Sequence, residues 1–303
     1  MHRKIKIILN PMADMGNAWR AARDLRSITE QHGGIDWSGT VYPGHAIDLA
    51  KQSEGYDMVI AMGGDGTVHE VMNGLMQISE NKRPILGVVP VGSGYDFGHG
   101  IGASTNPTEA LTRAINGEPS TVDLGLMTDG EGRTEYFDNT LGIGFGATVT
   151  IRSHKLPLLR GFLMYLAAVL QTIALDHNPI KMQIETDQEK WDQKVIYLVL
   201  CNGPREGGGF LIAPDAKIDD GIFHYAMITN VSRLMMLRIV PEVMKGTHGR
   251  FKQVKLGTCK KFTLTADRPL YIHADGEIYS GPGSDLRKVS FEILPNALKV
   301  VRG

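Results

Sequence analysis

The densest run of chemically capable residues in the chain is Ala61-Met62-Gly63-Gly64-Asp65-Gly66-Thr67-Val68-His69-Glu70. A continuous apolar run, residues 58–62, precedes it, and a helical pattern over 66–76 follows it. It therefore reads as the turn from a buried strand into a helix. Backbone N–H groups point outward at such a turn, and the helix dipole favours an anion there. Gly63, Gly64 and Gly66 lack the Cβ atoms that would keep a phosphate at a distance. Thr67 can donate its hydroxyl to a phosphate oxygen, and Asp65 can hold Mg²⁺ directly or through water. The spacing is neither a Walker A loop nor a dinucleotide G-x-G-x-x-G. The alternative is a turn without a ligand.

The elements around this turn follow from hydrophobic period. Residues 4–9, 37–41, 58–62 and 85–89 read as strands, and 18–32, 45–52, 66–76 and 106–117 as helices. Asn106 can cap the last of these, Pro107 fits its first turn and Gly117 stops it. Strand alternating with helix implies a parallel sheet with helices on both faces. Beyond about Leu126 strands dominate: 135–142, 180–186, 195–201, 222–228, 261–265, 270–273, 289–294 and a short final 298–302. Two helical patterns interrupt them, 161–175 and 232–245. The expected fold class is α/β, an N-terminal parallel nucleotide-binding domain over 1–126, rejoined by 296–303, and a mostly antiparallel β domain over 127–295.

Composition agrees with a folded chain: of 303 residues, 42% are hydrophobic and 21% charged, which excludes an intrinsically disordered polymer. The formal charge of −1 disfavours a globally basic nucleic-acid binder and leaves a local basic patch open. Cys201 and Cys259 are too few for a disulfide framework or a four-cysteine zinc site and read as small buried hydrophobes. No signal-peptide core precedes the first strand pattern, so the expected location is cytoplasmic. The segment 161–175 (GFLMYLAAVLQTIAL) is apolar, but its 15 residues fall short of the ~20 that cross a bilayer. Pro157 and Arg160 precede it. A buried helix or the wall of an apolar groove is expected instead.

Five further stretches accompany the glycine turn: Pro90-Val91-Gly92-Ser93-Gly94-Tyr95-Asp96-Phe97, Val122-Asp123-Leu124-Gly125, 139–147 (NTLGIGFGA), 207–221 (GGGFLIAPDAKIDDG) and His273-Ala274-Asp275-Gly276-Glu277. Together with G-G-D-G-T and E-V-x-N-G-L, they resemble, in order, the motifs of diacylglycerol kinases, sphingosine kinases and bacterial lipid kinases. The resemblance runs from Asn10 to Glu277. It implies a lipid kinase that uses ATP and Mg²⁺ to phosphorylate a hydroxyl of diacylglycerol or a related lipid. It implies ATP contacts at Asn10, Thr40, Gly63, Gly64, Asp65, Gly66, Thr67, Glu70 and Ser93. It groups Asp65, Asp96 and Asp123 around the catalytic Mg²⁺, makes Glu277 the general base, and places Asp275 beside it to orient it or share a metal. A second, structural Mg²⁺ is implied at the carbonyls of Lys217 and Ile222 and the side chain of Asp220. Read without the resemblance, the isolated aspartates are surface or capping residues, D-G-E is a hairpin turn and 217–222 is a solvated acidic turn.

Departures from the motif are Ala13-Asp14 and Gly16-Asn17 after Asn10, Tyr95 for asparagine, His99 for arginine and Gly146 for aspartate. They keep open a degenerate member that binds lipid or nucleotide without transfer. The shared G-G-D core keeps open an NAD kinase-like phosphotransferase with a soluble acceptor. The expected partner is a lipid at a membrane surface, the protein being peripheral to it, with a homodimer also open. Apolar residues within 156–175 would wall an acyl groove. Arg152, His154, Lys155 and Arg160, with Lys245, His248, Arg250, Lys252 and Lys255, would meet anionic lipid.

Overall fold

A computed structural model of the chain describes residues 3–33, 35–92, 94–156, 159 and 161–303. Ser93, Pro157 and Arg160 lie outside the described residues. The chain divides into two compact units, Met1–Val122 with Asn296–Gly303, and Asp123–Pro295.

The first unit alternates as its pattern requires: β1 (Ile5–Leu9), α1 (Asn17–Gln31), β2 (Asp36–Gly39), α2 (His45–Lys51), β3 (Met58–Gly63), α3 (Asp65–Leu75), β4 (Ile85–Pro90), α4 (Asp96–Gly100) and α5 (Pro107–Asn116). β1 pairs in parallel with β2 and β3, and β3 with β4. The returning C-terminus adds a further parallel neighbour, Val300 opposite Leu86. β3 is buried at every position because it lies inside the sheet with neighbours on both sides. Ile7, Ile60, Met62, Leu25 and Leu111 form the core between sheet and helices. Asn106 caps α5 through Oδ1, which accepts the N–H groups of Thr108 and Glu109.

β5 (Pro119–Asp129) carries the chain into the second unit. There follow β6 (Thr134–Phe137), β7 (Thr140–Gly144), α6 (Phe145–Ser153), α7 (Gly161–Leu175), β8 (Ile180–Thr186), β9 (Lys190–Cys201), β10 (Phe223–Thr229), α8 (Arg233–Met244), β11 (Val254–Cys259), β12 (Lys261–Ala266), β13 (Ile272–Ala274), β14 (Glu277–Ser280) and β15 (Lys288–Val301). Along the order β14-β13-β7-β9-β8-β12-β15 each strand is antiparallel to its neighbours, and β10 pairs antiparallel with β9 and β11. Phe137, Phe223, Phe262 and Phe291 fill one core. Phe145, Ile196, Val199, Ile228 and Ile239 fill a second, beneath α6, α7 and α8.

Three expectations need correction. The strand expected over 135–142 is two, β6 and β7, because Asp138 and Asn139 turn away to serve the site described below. The two final strands are one, β15. A third helix, α6, occupies 145–153, where β-branched Val149, Thr148, Thr150 and Ile151 favour strand locally. Its buried face, with Phe145, Ala147 and Val149, decides in favour of helix. The reading of 161–175 as an apolar helix matches α7, and among the described residues no helix is long and apolar enough to cross a membrane. Both cysteines are free and buried, and burial raises both thiols, Cys259 to about 12.

Asp129 ties the sheet edge together. It accepts the Tyr279 hydroxyl from β14 at 2.8 Å, the N–H groups of Glu131 and Arg133, and Arg133 Nε at 2.7 Å. Burial alone would raise this carboxyl, but these hydrogen bonds outweigh it and bring it to about 2. A carboxyl depressed on folding stabilises above its unfolded value near 4 and loses that contribution as pH falls through its folded value near 2. Thermal midpoints measured from pH 5 to 2 should therefore fall more steeply for the wild type than for Asp129→Asn. Parallel curves would show that Asp129 does not carry this acid limb.

Candidate active site

In the first unit the expected nucleotide residues gather at the C-terminal ends of parallel strands, where α/β sheets leave a crevice for ligands. Asn10 follows β1, and its Nδ2 donates to Thr67 Oγ1 at 3.4 Å while its Oδ1 accepts Met12 N–H. Thr40 follows β2 and is held by its N–H to Leu9 O, 2.8 Å. Gly64 is the extended N-cap of α3, and Asp65 stands in that helix's first turn. Asp65 Oδ2 accepts the N–H of Asp96, 3.0 Å away, so these two aspartates are brought together. Their hard oxygen donors at adjacent helix starts suit a divalent cation by chemistry.

The glycines are placed by the protein itself. A Cβ on Gly63 would collide with the Thr67 side chain. A Cβ on Gly92 would overlap Gly64 Cα and lie 2.6 Å from Gly64 N, and one on Gly94 would lie 2.8 Å from Asp65 Oδ2. At Gly63, then, the missing side chain makes room for Thr67. At Gly92 it lets two loops touch backbone to backbone, and at Gly94 it leaves room for the Asp65 carboxylate. Glu70 also has a task other than the one expected. Its two oxygens accept the N–H groups of Gly44 and Ala46, at 2.9 and 3.1 Å, and so cap α2, which lacks a side-chain cap of its own.

The second unit builds its site around residues 138–140. Asp275 Oδ2 accepts the N–H of Asp138 at 2.9 Å, and Oδ1 accepts those of Asn139 and Thr140 at 2.9 and 3.0 Å. Asp275 N–H donates in turn to Thr140 O. Asp275 and Gly276 have φ of 51° and 87°, as a type I′ turn requires, and close the β13–β14 hairpin with Ala274 opposite Glu277. Thus D-G-E is a hairpin turn, and this turn presents Glu277 in an exposed position. Asn202 Nδ2 bridges Asp138 O and Asp123 O, and Asn139 Nδ2 donates to Arg205 O. Asp123 also clasps the acidic turn: its Oδ2 accepts Gly221 N–H at 2.6 Å, and its N–H donates to Ile218 O. In that turn Asp220 Oδ1 accepts Ile222 N–H, and Oδ2 stands 3.1 Å from His224 Nε2. Among the described residues no three His, Cys, Asp or Glu side chains cluster as a metal cage.

Beside the hairpin lies an apolar pocket walled by α6, α7, α8, β9 and β10. Phe145, Val149, Val169, Phe210 and Ile239 line it. Tyr165 lines it too, and its hydroxyl would stand 3.4 Å from a Cβ placed on Gly276, so its ring leads from the pocket to the turn before Glu277. The wall 156–175 singled out from sequence contributes Tyr165 and Val169. Glu206 and Tyr197 at the pocket were not foreseen, because no motif position marks them.

Residues 139–302 match the family model described as the YegS C-terminal NAD kinase beta sandwich-like domain, and residues 4–127 match the diacylglycerol kinase catalytic domain. The chain belongs to the diacylglycerol kinase and YegS-like lipid kinase family. A "probable lipid kinase YegS-like" protein of Chromohalobacter salexigens is 35% identical over 209 residues, 67% of this chain and 63% of that one. One of the same description from Yersinia pestis is 31% identical over 274 residues, 90% and 84% of the two chains. A diacylglycerol kinase of Mycobacterium tuberculosis is 28% identical over 309 residues, 99% and 95%. A crystal structure of a candidate diacylglycerol kinase from Bacillus anthracis superposes with a TM-score of 0.80 at 21% identity, covering 99% of this chain and 97% of that one. At that identity the likeness is one of fold. Two departures from the family motif have a local account: Asp14 sits at φ 47° and accepts Asn17 Nδ2, and Gly146 leaves room for the Tyr197 ring, 2.9 Å from where a Cβ would stand.

Two stability predictions follow from the tight packing. Gly92→Ala should cost roughly 1–3 kcal/mol by overpacking, read as a lower urea midpoint. Asp275→Ala strands three buried N–H donors and should cost about 3 kcal/mol or more. A loss under about 1 kcal/mol would show that 138–140 holds its shape without Asp275.

Proposed function

We propose that the protein is an ATP- and Mg²⁺-dependent lipid kinase that transfers the γ-phosphate to a lipid hydroxyl. The observation that carries this reading is the apolar pocket whose Tyr165 wall adjoins the turn bearing Glu277. Such a pocket suits an acyl chain and would waste its apolar wall on a soluble dinucleotide, which argues against the NAD kinase-like alternative. The likeness to an NAD kinase β-sandwich is one of fold.

On this reading ATP takes the crevice at Asn10, Thr40, Gly63, Gly64, Gly66 and Thr67, with Ser93 retained from the motif. Glu70 acts through the 44–46 turn that it holds. Asp65 and Asp96, with Asp123 retained from the motif, hold the Mg²⁺, which when bound neutralises charge on the transferring phosphoryl. Glu277 accepts the proton of the attacking lipid hydroxyl. Asp275, its oxygens taken by 138–140, positions Glu277 through the turn. A structural Mg²⁺ at Lys217, Asp220 and Ile222 would compete with the His224 contact of Asp220.

The lipid would enter from a membrane surface. α7 and α8 pack together and leave Leu163, Leu170, Leu175, Leu234 and Leu237 exposed, the first and fourth at 63% and 79%. His154, Lys155, Lys245 and Lys252 are exposed as well. The second basic run is less uniform than its sequence suggests: His248 is buried and its imidazole lowered by that burial, while Arg250 and Lys255 pair with Glu242 and Glu189. Arg152 likewise pairs with Asp176.

With labelled ATP and a panel of neutral and sphingoid lipids, label should appear in the organic phase. Asp65→Asn and Glu277→Gln should each lower kcat by ~10²-fold or more. Near-normal turnover in either would remove its assigned role, and tight ATP binding with no labelled lipid would favour the degenerate reading. Flotation should find the protein on anionic vesicles at low salt and release it at high salt. Leu234→Asp should weaken that binding, and failure to float at low salt would contradict a membrane-docked enzyme.

A further inference from the structure

Among the described residues, one charged side chain lines the apolar pocket. Glu206 lines it with a side chain only 17% exposed, and its Oε1 is 3.1 Å from Nε2 of the fully buried His273. The Tyr197 hydroxyl, also at the pocket, hydrogen-bonds to Glu206. Burial and the Glu206 charge push that hydroxyl well above its ordinary range, so Tyr197 stays protonated and donates.

The arrangement is built into the backbone. His273 pairs with Gly142 across β13 and β7, and a Cβ at 142 would collide with its imidazole. A Cβ on Gly146 would stand 2.9 Å from the Tyr197 ring and 3.4 Å from His273 Nε2. Two glycines thus clear the space in which the His273 imidazole and the Tyr197 ring stand beside the Glu206 carboxylate. His273 lies on the strand that runs directly into the Asp275–Gly276 turn and Glu277.

Charge in an apolar pocket is costly unless it is paired. A carboxylate has about four acceptor sites, and the one hydrogen bond from Tyr197 leaves capacity for a ligand. It cannot donate, so an ester carbonyl gains nothing from it, whereas a hydroxyl or ammonium does. Diacylglycerol carries one donor, the hydroxyl that reacts, and its remaining polar groups are ester acceptors. We infer that Glu206, held by the Tyr197 hydroxyl beside His273, selects an acceptor lipid bearing a second hydrogen-bond donor beside its reacting hydroxyl. This inference rests on the lipid kinase reading, deepens it by naming the substrate class, and sets diacylglycerol below single-chain lipids with a free second hydroxyl or amine.

The test compares 1-monoacylglycerol, a sphingoid base and 1,2-diacylglycerol of matched chain length in mixed micelles with the full-length protein. At least one donor-bearing lipid should exceed diacylglycerol in kcat/KM by roughly tenfold or more. In Glu206→Gln that ratio should collapse to within about threefold, mainly through KM for the donor-bearing lipid. Tyr197→Phe should shrink it in the same direction by less. Preference for the sphingoid base would identify an ammonium, and preference for the monoacylglycerol a hydroxyl. Equal use of all three by the wild type, or an equal loss on all three in Glu206→Gln, overturns the inference. Label on no lipid defeats the kinase reading instead. Displacement of a fluorescent fatty-chain probe by the same three lipids then decides Glu206 alone: a preference abolished by Glu206→Gln upholds the inference, and equal binding overturns it.

Discussion

The second unit depends on one carboxylate meeting three backbone donors. Asp275 arrives on a hairpin turn and closes on the N–H groups of 138–140, more than 130 residues earlier in the chain. A buried amide without an acceptor costs more than a hydrogen bond returns, so the turn and the segment hold each other in place. From that clasp the rest is positioned: Asn202 reaches from Asp138 O to Asp123 O, Asp123 grips the 218–221 turn, and β14 starts with Glu277 facing outward. The left-handed φ of Asp275 and Gly276 is what lets two residues make the reversal.

The first unit meets a different constraint, the close approach of two loops. Gly64 and Gly92 touch through their backbones, and Gly94 lies over Asp65, so the α3 start and the segment after β4 behave as one surface. The Asp65–Asp96 hydrogen bond fastens that surface. Side chains of any size at 63 or 92 would separate parts that a phosphate site needs together. Glycine here serves protein packing first, and the bare backbone it leaves is the consequence.

α7 shows how one apolar helix divides its surface. Ala168, Val169, Thr172 and Ile173 are buried against the second core, Tyr165 and Val169 line the pocket, and Leu163, Leu170 and Leu175 face outward. A helix apolar on all sides is ordinarily buried or membrane-spanning, and this one is too short to span. Its exposed leucines beside those of α8 form the apolar surface on which the membrane proposal rests.

Much of this was legible in the residues. Period alone located β3, the turn into α3, the whole extent of α7 and the cap at Asn106, because each depends on neighbours within a few positions. The ordered motifs indicated the family and the acidic positions. What only the tertiary structure decided were relations between distant residues. α6 is a helix because its buried face overrides local strand preference. Glu70 serves α2, His248 is buried out of a basic run, and Glu206 meets His273 across 67 positions of chain. Such pairings leave no period or spacing in a single sequence, since their energy comes from desolvation and contact that exist only once the chain has folded.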